Sequence, residues 1–334
     1  MIRLPPFERL RPNTFTEASQ MLEAHEGEAM VLGGGTDILA KMKKGITQPR
    51  YLVDLSTVSG ARYVDYKEKD GLRIGSMTTL TELETSRVLQ ERFPLLAKAA
   101  GQVGSRQLRN MGTIGGNLSQ DTRCWYYLQS SFGQKCTPPC FKRSGDVCHV
   151  VKGGDRCYAL FMGDMAPALI ALGATVKICE SQGEKVIPLE TLYAGDGNRP
   201  LGLEPHHILA EVEVPVPPPN SAGAYLKLRQ RSSVDFPIVG VGAMIQLEGK
   251  NCLDARIALT GVGPAPLLLQ EAGEILRQQE MSPEAILQAA QAAAKEASPV
   301  SHMGVPAGYK REMVKVHVKR ALEKCLEKLN YDPK

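Results

Sequence analysis

The chain has 334 residues, a formal net charge of +4, and a composition that is 43% hydrophobic and 23% charged. At about 150 residues per domain, this length predicts roughly two domains and excludes a peptide-sized scaffold. No apolar run approaches the roughly 18 residues that cross a bilayer, and Met1–Glu8 has no export-signal pattern. We therefore expect a soluble cytoplasmic protein without membrane or nucleic-acid partners.

The net charge is concentrated in one stretch. Between Thr122 and Cys157 there are six basic and two acidic residues, together with five of the eight cysteines and the single tryptophan. The basic residues are Arg123, Lys135, Lys142, Arg143, Lys152 and Arg156. In a reducing compartment such a cysteine-rich stretch favours a metal or cluster site over disulfides.

The first part of the chain, residues 1–58, shows a short βα pattern. Thr16–Ala24 and Asp37–Lys44 are predicted helices, and Ala29–Leu32 and Tyr51–Leu55 are predicted strands. We interpret this part as a small α/β lobe.

Residues 59–218 are predicted to form a second, larger lobe with one long helical region, Thr79–Gln102. Its other predicted elements are strands near Tyr63, Leu72–Ile74, Thr175–Ile178 and Glu211–Val214, and the apolar stretch Met165–Leu172.

Three prolines in Val216–Asn220 cannot continue a central strand and mark a boundary. Residues 219–334 are predicted to form a separate α+β domain. Its predicted strands are Ala224–Leu228, Ile238–Leu247 and Cys252–Leu259, and its helices are Pro283–Ala297 and Gly308–Leu329. Within the last helix, Val318, Leu322 and Cys325 share one face, which predicts that this cysteine is buried.

Two glycine-rich loops are candidate binding elements. Leu32–Asp37 lies between a predicted strand and a predicted helix, where glycines allow a diphosphate to approach the backbone. A single glycine triplet is more often an ordinary tight turn. Gly112–Leu118, in the second lobe, adds a hydroxyl and an amide beside two glycines. Two such loops, one in each lobe, favour a dinucleotide bound between them.

These loops, the later segment Gly163–Leu169 and the C-terminal domain together resemble the FAD-binding medium subunit of the xanthine dehydrogenase and molybdenum hydroxylase family. The resemblance implies an α+β fold in which a two-lobed FAD-binding domain precedes a C-terminal domain of the CO dehydrogenase flavoprotein type. It also implies an oxidoreductase subunit that carries electrons and has no catalytic residue of its own, since substrate chemistry belongs to another subunit.

The resemblance also assigns residues to FAD. Asp164 matches a carboxylate that binds the cofactor, although an aspartate before a helix is also a typical N-cap. Lys227 matches a lysine near the flavin, whose charge would favour a reduced anionic flavin, while a lone strand lysine is more often solvated. Gly163 stands where the family usually has serine. The other implied FAD residues are Val31, Leu32, Gly33, Gly34, Gly35, Thr36, Asp37, Val103, Thr113, Ile114, Gly115, Gly116, Asn117 and Leu209.

An insertion of about forty residues, 121–162, separates the second glycine loop from Asp164. Its cysteines at 124, 140, 148 and 157 could supply four thiolates, with Cys136 as a fifth candidate. Zinc, with Cys136 and Cys140 as one pair, would only stabilise the loop, whereas an iron–sulfur cluster would carry electrons. The aromatic residues that could shield a cluster are Trp125, Tyr126, Tyr127 and Phe141.

The segments around these cysteines resemble the 4-hydroxybenzoyl-CoA reductase branch of the family. That resemblance implies a [4Fe–4S] cluster bound by Cys124, Cys140, Cys148 and Cys157, with Cys136 as a spare. It also implies a large molybdenum-cofactor subunit, a small subunit with two [2Fe–2S] clusters, an assembly of two such trimers, and ferredoxin as electron donor.

Two other functions stay open. One is the FAD subunit of an ordinary aldehyde, xanthine or CO-oxidising hydroxylase, and the other is a non-catalytic module with a zinc-stabilised loop. For the ferredoxin hypothesis, Lys142 and Arg143 are the candidate contacts with an acidic partner. His149, His206 and His207 are given no ligand or catalytic role.

Overall fold

Two mixed lobes and a C-terminal α+β domain make up residues 3–331, which the computed structural model describes except for the side chains of 131 and 132. In the first lobe, three parallel strands lie in the order β1-β3-β2. Its elements are β1 Glu8–Leu10, α1 Phe15–Ala24, β2 Ala29–Leu32, α2 Ile38–Lys43 and β3 Tyr51–Asp54. The predicted elements of this lobe are confirmed, and β1 is additional.

Local sequence explains how α1 begins and where it packs. The Thr14 hydroxyl accepts a hydrogen bond from the Glu17 N–H at 3.1 Å, which satisfies one of the free donors at the helix start. Ala18 and Leu22, four residues apart on one helix face, pack with Val53 of β3 in the lobe's core.

The second lobe is built on an antiparallel sheet with the order β4-β5-β8-β6-β7, covered by short helices. Its elements are β4 Val64–Lys67, β5 Gly71–Gly75, α3 Leu80–Thr85, α4 Arg87–Arg92, α5 Pro94–Gly101, α6 Arg106–Met111, α7 Ile114–Leu118, α8 Ser131–Lys135, α9 Met165–Ala171, β6 Thr175–Glu180, β7 Gly183–Pro188 and β8 Ile208–Val214.

The long helical region predicted for 79–102 is three helices instead of one. Ser86 has an extended backbone and its hydroxyl caps α4, so the chain turns between α3 and α4. Pro94 occupies the first position of α5, and the residue before a proline is disfavoured in helical conformation. Both breaks are local sequence effects. The apolar periodicity continues through them and therefore predicts one helix.

The C-terminal domain packs three helices on a four-stranded antiparallel sheet with the order β12-β11-β10-β9. Val318, Leu322 and Cys325 are fully buried against this sheet, as predicted. The elements are β9 Ser221–Leu228, β10 Val239–Glu248, β11 Asn251–Thr260, β12 Leu267–Leu268, α10 Gln270–Leu276, α11 Pro283–Glu296 and α12 Ala307–Lys328.

Helix α9 joins the second lobe to the C-terminal domain. A Cβ at Gly242 of β10 would lie 2.4 Å from the Pro167 carbonyl oxygen, so glycine is required for α9 to approach the sheet this closely. Tyr225 and Ala258 of the C-terminal sheet belong to the second lobe's hydrophobic core. Asp164, immediately before α9, is thereby held where the lobe and the C-terminal domain meet.

The insertion is closed at its base by Arg123 and Leu160, whose backbones exchange hydrogen bonds of 2.7 and 2.9 Å. Between them, its regular structure consists of α8, a 3₁₀ turn over Phe141–Arg143 and a short bridge between Cys140 and Val147. Separately, none of the helices in residues 3–331 combines the length and hydropathy that a bilayer crossing requires.

Candidate functional site

A cleft of about 680 Å³ runs between the two lobes and reaches the C-terminal domain. This volume is within the range of about 300–1,000 Å³ that is usual for ligand sites. Both glycine loops line the cleft, and so do Val103 and Leu209. The structure therefore brings together residues that are far apart in the sequence.

The two glycine loops touch each other. A Cβ at Gly34 would lie only 1.7 Å from the Met111 carbonyl oxygen, so no larger residue fits between the loops. In the second loop, the Gly115 N–H donates to the Ser76 carbonyl at 2.9 Å, and the Gly116 N–H donates to the Thr113 hydroxyl at 3.1 Å. The first bond ties the loop to the residue after β5, and the second caps the short helix α7.

Asn117 has a second structural role. Its side-chain Oδ1 accepts a hydrogen bond from the Met165 N–H at 3.2 Å and so caps α9 from a distant part of the chain. The Gln120 side-chain amide donates to the Asn117 carbonyl at 2.8 Å. A Cβ at Gly163 would lie 2.8 Å from that Gln120 nitrogen. Gln120 therefore occupies the space that a serine at 163 would need.

Asp164 is buried and its carboxylate turns away from the helix it precedes. Its Oδ1 accepts from the Tyr225 hydroxyl at 2.6 Å, and its Oδ2 lies 3.0 Å from Lys227 Nζ, which also donates to the Gln102 carbonyl at 2.9 Å. Asp164 occupies the predicted N-cap position of α9, but its carboxylate makes no capping bond to the helix. Burial raises the pKa of the Asp164 carboxyl, and the Lys227 charge and the Tyr225 hydrogen bond oppose that rise.

The Lys227 side chain is only 1% exposed, so the alternative of a solvated strand lysine is wrong. Its charge is paired with Asp164 and not open to the cleft. Among the sixteen residues that the family resemblance assigns to FAD, Leu32, Ile114 and Lys227 do not line the cleft, and the other thirteen do. Ile114 is fully buried in the core of the second lobe.

Sequence reasoning missed several residues of the cleft. Ser76, at the end of β5, is 2% exposed, and its hydroxyl has no hydrogen-bond partner among the described residues. An unpaired buried hydroxyl beside an open cleft is a donor available to a ligand. A serine after a predicted strand was the only signal. The other residues missed include Met77, Lys41, Gln120, Arg123 and Phe236.

His207 also lines the cleft, and its Nε2 lies 3.6 Å from Glu180 Oε1, a carboxylate 27 positions away in the sequence. Burial lowers the pKa of His207, and Glu180 opposes this change. The ring forms part of the cleft wall.

A second cavity lies inside the insertion. Cys124, Cys140, Cys148 and Cys157 all line it, and Cys136 does not. The walls include Tyr126, Tyr127, Phe141 and Val150. These four are also the cysteines that the family resemblance assigns to a cluster.

The environment of the four thiols is largely apolar. Burial raises the pKa of Cys157 to about 11 and also raises that of Cys124. A bound metal would therefore be needed to deprotonate Cys124 and Cys157 at neutral pH. Among the described residues, no three side chains of Cys, His, Asp or Glu already converge on a position for a single ion.

Of the four predicted shielding aromatics, Trp125 alone does not line the cavity. Trp125 is 55% exposed and lies outside the cavity lining, whereas Tyr126 lines the cavity and is itself partly exposed. His149 lines the cavity too, with its Nε2 2.9 Å from the Pro138 carbonyl oxygen. That contact occupies one of its two ring nitrogens.

The prediction that Lys142 contacts a docking partner is wrong. Its side chain is only 4% exposed and its ammonium group is bonded to Asp121 inside the protein. Arg143 donates hydrogen bonds to the carbonyls of Gln134 and Thr137 at 2.6 and 3.4 Å. These two cations stabilise the fold of the insertion itself.

Comparison with known protein families identifies both parts of this architecture. Residues 5–217 match the FAD-binding domain of molybdopterin dehydrogenases, and residues 224–325 match the C-terminal domain of CO dehydrogenase flavoproteins. The chain belongs to the FAD-binding subunits of the molybdenum hydroxylase family. The predicted fold class, the FAD cofactor and the assignment to an oxidoreductase are thereby confirmed.

Relatives of this molybdenum hydroxylase subunit extend over most of its length. It is 32% identical to the FAD-binding subunit of an aldehyde oxidoreductase from Escherichia coli K12, over 80% of this chain and 85% of that one. It is 29% identical to the carbon monoxide dehydrogenase medium chain of Hydrogenophaga pseudoflava, over 95% and 96% of the two chains. A solved structure of carbon monoxide dehydrogenase from the same organism superposes with a TM-score of 0.81 at 26% identity, covering 97% of this chain and 99% of that chain.

Proposed function

We propose that this chain is the FAD and [4Fe–4S] subunit of a molybdenum-dependent 4-hydroxybenzoyl-CoA reductase. The observation that carries the proposal is the cavity lined by four cysteines and aromatic side chains, set beside the flavin cleft. In this proposal the bound cluster and FAD supply one- and two-electron transfer, and the para hydroxyl of the aromatic thioester is removed on another subunit.

The residues of the cleft support a defined set of roles. The glycine loops, with Thr113 and Asn117 fixed by hydrogen bonds, would hold the diphosphate and ribityl chain. Val103 and Leu209 would contact the apolar flavin ring, and the Ser76 hydroxyl would donate to the cofactor. Asp164, held by Lys227 and Tyr225, would accept a hydrogen bond from the flavin.

The residues of the insertion support the cluster. Cys124, Cys140, Cys148 and Cys157 would be its ligands, and Tyr127 and Phe141 would exclude water from it. Tyr126 and Val147 line the same cavity and are partly exposed, so a donor protein would approach the cluster there. We propose a ferredoxin as that donor, and a molybdenum subunit and a [2Fe–2S] subunit as partners in a dimer of heterotrimers.

The second candidate is the FAD subunit of a molybdenum hydroxylase that oxidises an aldehyde, a purine or carbon monoxide. The 32% identity to an aldehyde oxidoreductase subunit favours it. Such a subunit passes electrons outward and has no need of a cluster. Reduction of the assembled complex by ferredoxin, measured with the aromatic thioester as acceptor, separates the two functions.

Metal analysis after anaerobic purification tests the proposal directly. We expect about four iron and about four sulfide per flavin-containing chain, and zinc at trace level. Cys124→Ser should lose most of this iron and sulfide, while the matched variant Cys136→Ser should retain both. Zinc without sulfide would support the zinc-stabilised loop instead, and a yellow protein without iron or zinc would leave the ordinary hydroxylase subunit.

A further inference from the structure

A chain of ion pairs connects the cysteine cavity with the flavin cleft. Lys142, which lines the cysteine cavity, bonds to one oxygen of Asp121, and Lys41 Nζ lies 2.8 Å from the other. Lys41 and Asp121 both line the flavin cleft. One carboxylate therefore contacts a wall residue of each cavity.

The chain continues to the first glycine loop. Lys41 Nζ lies 3.1 Å from Asp37 Oδ2, and Arg123 Nη1 lies 2.7 Å from Asp37 Oδ1. Asp37 directly follows Thr36 at the end of the glycine loop, and Arg123 directly precedes the cluster cysteine at 124. The network therefore joins the end of the first glycine loop to the residue that precedes Cys124.

The cations of these pairs are largely shielded from water, while the Asp37 and Asp121 side chains are 30% and 23% exposed. The side chains of Lys142, Lys41 and Arg123 are 4%, 10% and 14% exposed. Burial alone would raise the pKa of the Asp121 carboxyl, but Lys142 and Lys41 together hold it below its ordinary value. At low local dielectric, removing one partner of such a group leaves a buried charge unpaired, and that is costly.

We propose that Asp121 is a positioning residue that couples occupancy of the cysteine cavity to flavin binding, an inference that rests on the function proposed above. The insertion's own hydrophobic cluster is small, with Cys124, Cys157 and Ala159 as its buried members. A bound metal group would therefore supply much of the order of this segment. Ordering the insertion fixes Lys142, Asp121 and Arg123, and these in turn fix Asp37 beside the first glycine loop. Whichever of the cluster and FAD binds second then meets residues that are already ordered. Each should therefore tighten the binding of the other.

The test measures the dissociation constant of FAD by anaerobic fluorescence titration of the full chain, with the cluster reconstituted and with iron removed by a chelator. We expect the cluster to tighten FAD binding at least about fivefold in the wild type. In Asp121→Asn the two constants should agree within about twofold. By reciprocity, FAD should slow loss of iron to the chelator in the wild type and have little effect in the variant.

Two further variants keep the test decisive. Lys142→Met preserves the Asp121–Lys41 pair but removes the contact between Asp121 and the wall of the cysteine cavity. It should therefore also abolish the coupling, and it replaces Asp121→Asn in the test if that variant does not fold. Glu91→Gln disrupts an exposed ion pair with Arg87 and should keep the wild-type ratio. If Asp121→Asn or Lys142→Met binds the cluster and the cluster still tightens FAD binding as much as in the wild type, this inference is overturned but the proposed function is not. A wild-type chain that accepts no iron or sulfide would overturn the proposed function, and this inference with it.

Discussion

Ser76 illustrates how a single side chain acquires a role from its surroundings. Its hydroxyl is buried next to the cleft and lacks a partner among the described residues, while its carbonyl supports Gly115 of the second glycine loop. Buried polar groups are nearly always paired, so an unpaired one at a cleft indicates a contact that the ligand completes. In the proposed function, FAD supplies the partner that this hydroxyl lacks.

We expect Ser76→Ala to weaken FAD binding about two- to tenfold, which corresponds to the loss of one neutral hydrogen bond. Without FAD, the same change should leave the free energy of unfolding unchanged or slightly higher, because an unpaired buried hydroxyl is removed. Flavin fluorescence titration and urea unfolding measure the two effects.

The matched control is Ser19→Ala, since Ser19 is equally buried but donates to the His206 carbonyl at 2.8 Å. This variant should lose stability and keep its affinity for FAD. Equal FAD affinity in Ser76→Ala and the wild type would contradict the assigned role.

At the scale of elements, the two glycine loops act as one unit. Contact of Gly34 with the Met111 carbonyl brings the start of α2 against the end of α6, although these helices belong to different lobes. The spacing of the loops, and with it the width of the cleft, is therefore set by the absence of a single Cβ.

Gly34→Ala should reduce FAD affinity at least about tenfold, because its Cβ would lie 1.7 Å from the Met111 carbonyl oxygen and the loops must separate. Gly183→Ala, at the start of β7, has no atom within 4 Å of the added Cβ and is the control. FAD titration of both variants checks the prediction. Unchanged FAD affinity in Gly34→Ala would show that the contact between the loops does not determine the width of the cleft.

At the scale of the whole molecule, Lys310 connects the C-terminal helices to the second lobe. Lys310 of α12 is 1% exposed, and its Nζ donates to the Gly261 carbonyl at 2.7 Å. Gly261 N–H in turn donates to the Phe161 carbonyl at 3.0 Å, two residues before Gly163. A buried lysine in the C-terminal domain thereby supports the backbone that leads to Asp164.

Burial lowers the pKa of Lys310 to about 8 from an ordinary value of 10.5. Between these values the unfolded chain binds more protons than the folded one, so this residue's contribution to stability increases as pH rises from 8 to 10.5. The stability of the wild type relative to Lys310→Met should increase over this window by at most about 3 kcal/mol.

Urea unfolding at pH 7.5, 9 and 10.5 measures that difference. Lys319→Met, on the exposed side of the same helix, should differ from the wild type by a nearly constant amount, within about 0.5 kcal/mol. A difference between the wild type and Lys310→Met that does not change with pH would show that Lys310 titrates normally.

Much of this protein follows from local sequence. The glycine loops, the capped helices such as α1 and α11, and the alternating strands are specified by short-range effects: backbone freedom, side-chain caps and hydrophobic period. The family resemblance added the FAD cofactor, which the family match confirms. Its choice of Cys124, Cys140, Cys148 and Cys157 from five neighbouring cysteines stays a prediction. These features can be recognised because their signals lie within a few residues of one another.

Other features were decided by the tertiary structure alone. Lys41 and Asp121 are 80 residues apart and Lys227 and Asp164 are 63 apart, so no local pattern marks them as partners. The sequence around Lys142 predicts a basic surface loop, but its side chain is buried because its ammonium group pairs with Asp121. Burial and pairing of a charge depend on which distant groups the fold brings within a few ångströms, since the cost of removing a charge from water must be offset by a specific partner.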